Sequence, residues 1–140
     1  MQTFLPYPSF EKSAECLDVK RLGKQRVEVY QILRSLLGES KGWLNHPCTK
    51  MWKGYEGSLK NYGIAVCKAW RKLGYKDTLL EKITNLNTPE TENPEWLGNE
   101  EFHLSHQSNL LRKDQVWYGK YWNVPTDLPY IWPVEKNENN

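Results

Sequence analysis

The sequence predicts an all-α fold, a compact single-domain helical bundle with an irregular aromatic C-terminal tail, and three observations carry that expectation. Apolar residues recur at helical spacing in two long segments: Leu22, Val29, Ile32, Leu33, Leu36 and Leu37 in the first, and Leu59, Tyr62, Ala65, Val66, Ala69, Trp70 and Leu73 in the second. Each segment stops at a glycine, Gly38 or Gly74, the residue type that most readily takes the left-handed turn after a helix. Strand candidates such as Tyr130-Ile131-Trp132 are too short and too few for a sheet.

The elements follow in order. Pro6 and Pro8 hold the first residues extended, and Ser9 is placed to cap a helix starting at Phe10. Asp18 restarts the helix after a bend, and the first apolar stripe then runs to Gly38. Residues 38–47 read as a loop containing Trp43 and His46, followed by a short helix across Lys50-Met51-Trp52. The second stripe predicts a helix over 56–73, with Lys60, Lys68, Arg71 and Lys72 on its other faces. Asp77 is placed to cap a helix over 78–86, after which Asn87-Thr88-Pro89 and Asn93-Pro94 mark an irregular connection. A last helix is expected over 100–113. Pro125, Pro129 and Pro133 then keep the tail extended over the surface, and 135–140 are expected to be disordered, which leaves 1–134 as the domain.

A chain of 140 residues is long enough to bury roughly two-thirds of its unfolded surface around one core without staples. The net charge of +2 excludes a polycation that coats nucleic acid indiscriminately, so anion binding must come from local patches. Seven Trp and eight Tyr against three Phe make the rings mostly amphipathic, suited to half-exposed positions and to stacking. The unpaired count of Cys16, Cys48 and Cys67, with no apolar signal segment at the start, is simplest in a reducing cytoplasm. No apolar run approaches a membrane span, and the expected form is a soluble monomer without membrane contact. The absence of a Gly-rich phosphate loop, a Gly-x-Ser-x-Gly elbow and a two-carboxylate motif removes the NTPase and esterase readings; Cys67 sits in an apolar stripe and reads as core, not nucleophile.

The segment Arg21-Leu22-Gly23-Lys24-Gln25-Arg26-Val27-Glu28 surrounds one carboxylate with cations. On a helix, Arg21, Lys24, Glu28 and Gln31 follow a spacing that lines up one face, able to grip a phosphate backbone and still offer an acid. Lys24 and Glu28 are also an ordinary i, i+4 pair, worth only about 0.2–0.5 kcal/mol. Further along, His103 and His106 stand one turn apart. That spacing can hold a metal when other ligands converge, with His46 and Cys48 as the available partners, but hydrogen bonding or phosphate contact is the commoner use, and no metal or cofactor is expected. Arg112, Lys113, Trp117, Tyr118 and Lys120 mix cations with rings, a pattern that fits phosphate contacts and base stacking as well as it fits a packed aromatic turn.

Three features together resemble the pyrimidine-dimer DNA glycosylase family, the small all-α proteins of the phage endonuclease V type. They are an early long helix carrying Arg26-Val27-Glu28; the turn Gly38-Glu39-Ser40-Lys41-Gly42-Trp43-Leu44-Asn45-His46-Pro47; and a closing His-containing helix that runs into a basic, aromatic segment. The likeness spans most of the chain to about Trp122. It implies a metal-independent DNA N-glycosylase with abasic-site lyase activity on damaged or modified pyrimidines in duplex DNA, in which an N-terminal α-amine attacks C1′ to form a Schiff base and Glu28 stabilises charge and shuttles protons. An α-amine suits this work because such groups titrate near about 7.7–8.0 when unperturbed, far below a lysine. Gln2 is too bulky for the usual removal of an initiator methionine, which assigns the amine to Met1.

The resemblance also assigns Arg21, Lys24, Arg26, Arg112 and Lys113 to the phosphate backbone, with His46 and His103 or His106 as helpers. Val27 separates Arg26 from Glu28, so those two side chains should face different ways. Two rival readings stand beside this one: a non-catalytic module that recognises distorted or modified DNA, and a helical interaction protein whose cations and rings only solvate and pack the fold.

Overall fold

The computed structural model describes residues 1–134, and the disorder expected at 135–140 lies outside them. The fold is all-α: among the described residues there are seven helices and no strand. They are α1 (Phe10–Cys16), α2 (Val19–Leu36), α3 (Pro47–Lys50), α4 (Glu56–Lys72), α5 (Leu79–Thr84), α6 (Glu100–Lys113) and α7 (Gln115–Tyr118).

Local chemistry sets the boundaries. Ser9 Oγ accepts from the Lys12 amide at 3.2 Å, and the Asp18 carboxylate accepts from the Arg21 amide at 3.4 Å, so both expected caps start their helices. Gly38 and Gly74 take φ of +79° and +93°, the left-handed conformation that ends α2 and α4. Three elements differ from expectation. The short helix starts earlier, because His46 Nδ1 caps the Cys48 amide at 3.0 Å and Pro47 occupies its first turn. Helix α5 is shorter than expected, although Asp77 does take the Leu79 and Leu80 amides at 3.0 and 2.9 Å. Helix α7 was not expected; Asp114 nucleates it by accepting from the Trp117 amide at 3.0 Å.

Helix α2 packs along α4, which α1 and α5 flank. The approach of α2 to α4 requires Gly63, since a Cβ there would lie 2.8 Å from Val29 Cγ1. Val29, Ile32 and Leu33 meet Leu59, Tyr62 and Val66 in a core completed by Leu5, Trp52, Ile83, Phe102, Leu110 and Tyr118. Among the described residues, no helix is long and apolar enough to cross a membrane.

The N-terminal segment runs extended through this core rather than over it: Thr3 and Leu5 are fully buried. An extended strand outside a sheet leaves its backbone polar groups without partners, and each one left unpaired in the interior costs about 1–3 kcal/mol. Here side chains from the helices supply the partners. Gln25 of α2 donates Nε2 to the Gln2 carbonyl at 2.7 Å and accepts from the Phe4 amide at 2.8 Å, bridging the segment as a neighbouring strand would. Tyr62 of α4 donates to the Phe4 carbonyl at 2.5 Å, and Gln107 of α6 donates to the Pro6 carbonyl at 2.9 Å.

Candidate active site

The first consequence of this tether is the position of the chain start. The Met1 α-amine lies 3.7 Å from Glu28 Oε2, and the Gln2 amide donates to the same oxygen at 2.9 Å. Glu28 is 8 % exposed and reaches this place from the third turn of α2. Both groups line a cleft of about 370 Å³, whose other walls include Lys20, Arg21, Lys24, Lys113 and Tyr130. A carboxylate and an amine thus share a concave site with a cationic rim.

The rim cations differ in how firmly they are held. Arg21 pairs with Asp18 at 3.2 Å, which positions its guanidinium at the start of α2. Lys24 stands 3.9 Å from Glu28 but is 72 % exposed, so the pair contributes little to stability and leaves the ammonium free to reach an anion. Lys24 and Glu28 are thus an i, i+4 pair, and Arg21, Lys24 and Glu28 of the expected stripe line one cleft, whereas Gln31, a turn further on, does not. His46 lies within electrostatic reach of this centre. Burial lowers its imidazole below the ordinary value, the α-amine charge adds to that, and Glu28 opposes it.

Several residues singled out in the sequence stand elsewhere, each for a definite reason. Arg26 turns away from the cleft, pairs with Asp77 and lies 4.4 Å from the Trp70 ring centroid; one residue of separation on the helix sends it to the opposite side from Glu28. Burial alone would raise the Asp77 carboxyl, but the Leu79 and Leu80 amides and the Arg26 guanidinium outweigh it and hold the group below its usual range. The two histidines of α6 are buried, and neither lines the cleft. His103 Nδ1 is 2.7 Å from the Leu5 carbonyl, while its Nε2 accepts from the Gly98 amide at 2.9 Å. His106 Nδ1 accepts from the Leu5 amide at 3.0 Å. Together they satisfy both backbone groups of Leu5, and burial, with His103 adding to it, lowers the His106 imidazole to about 3.

The basic, aromatic segment is also mostly spent on the fold. Tyr118 is fully buried and its hydroxyl bonds Asp18, bracing the start of α2. Trp117 donates Nε1 to the Cys16 carbonyl at 2.8 Å, and Lys120 rests 3.5 Å from the Trp117 ring centroid; none of the three lines the cleft. Arg112 bonds the Thr126 carbonyl and Asn109, so it fastens the tail. Lys113, its neighbour, does reach the cleft.

Sequence reasoning missed Lys20, Tyr130 and Gln25. A signal for Gln25 was present: it falls on the buried face that carries Leu22, Val29 and Ile32, where a polar side chain must find partners. Tyr130 had no such signal, because a residue in a proline-punctuated tail has no periodicity to place it.

An α-amine beside a buried carboxylate, in a cleft ringed by lysine and arginine on a helical scaffold, brings together a nucleophile, an acid and a rim able to attract an anion. The profile of the pyrimidine dimer DNA glycosylase family matches residues 1–82, more than half of the chain, and the chain belongs to that family. No curated protein and no solved structure gives a significant match. Membership places the chain among DNA-repair glycosylases, with DNA as the substrate. The matched region contains Met1, Gln25, Glu28 and the turn to His46, whereas Lys113 and Tyr130 lie beyond it.

Proposed function

We propose that this chain excises pyrimidine dimers from duplex DNA through an N-terminal Schiff base and then cleaves the strand at the resulting abasic site. The observation that carries this reading is the 3.7 Å separation between the Met1 amine and Glu28 in a cationic cleft. The neutral amine adds its lone pair to C1′ while the C1′–N glycosidic bond breaks, and the base leaves with the bonding pair and takes up a proton. Loss of the amine proton and opening of the C1′–O4′ bond, whose electrons and a proton go to O4′, leave a C1′=N imine. Removal of a C2′ proton then expels the 3′ phosphate, and water releases the imine.

Glu28 suits two of these steps. Its carboxylate stabilises the positive charge that grows on the sugar, a term worth several kilocalories per mole in a partly desolvated site, and it exchanges protons with groups at C1′ and C2′. Lys20, Arg21, Lys24 and Lys113 hold phosphates on either side, and extrusion of the nucleotide brings C1′ to the amine.

Borohydride reduction tests the reading directly. Incubation with duplex DNA bearing an abasic site should give a covalent protein–DNA adduct that disappears when the α-amine is blocked and falls at least about 100-fold in Glu28→Gln. Binding without any adduct or strand cleavage would leave a DNA-recognition module in place of an enzyme.

A further inference from the structure

The wall of the cleft built by Tyr130 comes from a part of the chain outside the family match. Residues 123–134 carry no helix, yet they are fastened to α6 along their length. Leu128 donates its amide to Ser108 Oγ at 3.1 Å and accepts from Asn109 Nδ2 at 3.2 Å, and the Ile131 amide reaches Ser105 Oγ at 3.3 Å. This strap delivers a run of rings that begins in the cleft and leads outward. Tyr130 and Trp132 are 5.6 Å apart between centroids, Trp132 and His46 are T-shaped at 5.8 Å, and His46 and Trp43 are T-shaped at 5.9 Å.

Trp43 is the residue that packing does not explain. It is 49 % exposed and takes φ of +68°, a left-handed conformation that is costly for a large side chain. Strain together with an exposed indole is unfavourable twice over for a purely structural position, and such strain gathers at binding sites.

We propose that Tyr130, Trp132, His46 and Trp43 form a nucleobase site that holds the damaged base while its sugar is attacked. The inference rests on the function proposed above. The base is bonded to the same C1′ that the Met1 amine approaches, so it must lie within one bond of the point of attack, in the cleft that Tyr130 walls. Four successive rings offer more length than one base needs, which fits the covalently linked pair of pyrimidines that the family recognises. Contact through ring faces reads the presence and shape of a base without hydrogen-bond readout, as aromatic platforms do elsewhere.

The test separates the step that needs the base from the step that does not. For Trp43→Ala and Trp132→Leu, the ratio of dimer excision in single turnover to borohydride trapping on abasic duplex is compared with that of the parent protein. The ratio should fall roughly 10-fold or more, the scale of one lost base–aromatic stack. An unchanged ratio overturns the proposal. If Trp132→Leu melts at the assay temperature, Trp43→Ala decides, because its half-exposed side chain can be removed without opening the core.

Should the parent protein form no adduct at all, the Schiff-base reading falls while the nucleobase site remains testable by binding. Glu28→Gln should then prefer a dimer-bearing duplex over one carrying a tetrahydrofuran site, which has a sugar but no base. Adding Trp43→Ala should abolish that preference, and its persistence would refute the site.

Discussion

Gln25 is the side chain on which the position of the amine depends, and its replacement tests the coupling between fold and chemistry. Gln25→Leu removes the donor to the Gln2 carbonyl and the acceptor for the Phe4 amide in a place only 1 % exposed. Two backbone groups left unpaired at about 1–3 kcal/mol each give an expected loss of about 2–6 kcal/mol if the segment stays in place. The segment escapes part of that cost by leaving the core, which carries the amine away from Glu28. Urea unfolding should therefore show a loss at the low end of the range, while the rate of borohydride trapping on abasic DNA falls more than about 10-fold through lost orientation. Gln25→Glu sharpens the test, because it keeps an acceptor for Phe4 but places a second oxygen against the Gln2 carbonyl. Trapping at the parental rate in either variant, with stability lowered, would show that the amine is positioned without Gln25.

Three further outcomes follow from the same geometry. Arg26→Ala should cost about 1–3 kcal/mol through loss of its bond to Asp77, yet leave the salt dependence of DNA binding unchanged, because Arg26 does not reach the cleft. Lys113→Ala should do the reverse, lowering the slope of log affinity against log salt by about 0.9 with little effect on the melting temperature. Acid should weaken the fold well before the carboxylates titrate. His106 stays neutral in the fold down to about 3, whereas a free imidazole takes a proton near pH 6.5. Between those values the unfolded chain binds more protons, so stability falls as pH falls, by up to about 1.4 kcal/mol per pH unit. Urea midpoints at pH 7 and pH 5 measure this, and equal midpoints would contradict the burial of His106.

The parts of this molecule that could be read from the sequence are those governed by local rules. The caps at Ser9 and Asp18, the glycine stops at 38 and 74 and the apolar stripes of α2 and α4 depend only on neighbours in the chain. The same holds for the Arg21–Lys24–Glu28 face, since helical spacing alone brings those three to one side. Residues whose use depends on a distant partner were not legible in this way. His103 and His106 serve Leu5, about a hundred positions away, and Arg26 serves Asp77, fifty-one positions away. Their types and spacings are the same whether they bind phosphate or backbone. Tyr130 enters the cleft through hydrogen bonds between a strap and α6 that leave no periodic trace.

A chain end is ordinarily the most mobile part of a protein, and a nucleophile placed there would spend most of its time away from its acid. The remedy here is burial of the following residues where side chains from three helices take their backbone groups: Gln25 from α2, Tyr62 from α4, and His103, His106 and Gln107 from α6. Such a set is satisfied only when all three helices are in place, so the amine is presented to Glu28 only by the folded state. It also explains why the core tolerates Gln25, Glu28, His103 and His106: each has a backbone partner in the N-terminal segment, and removing any one leaves the other member unpaired. On the proposed mechanism, stability and presentation of the amine rest on the same atoms, so substitutions in the tether are expected to lower stability and borohydride trapping together, whereas substitutions at Glu28 or Trp43 should separate them.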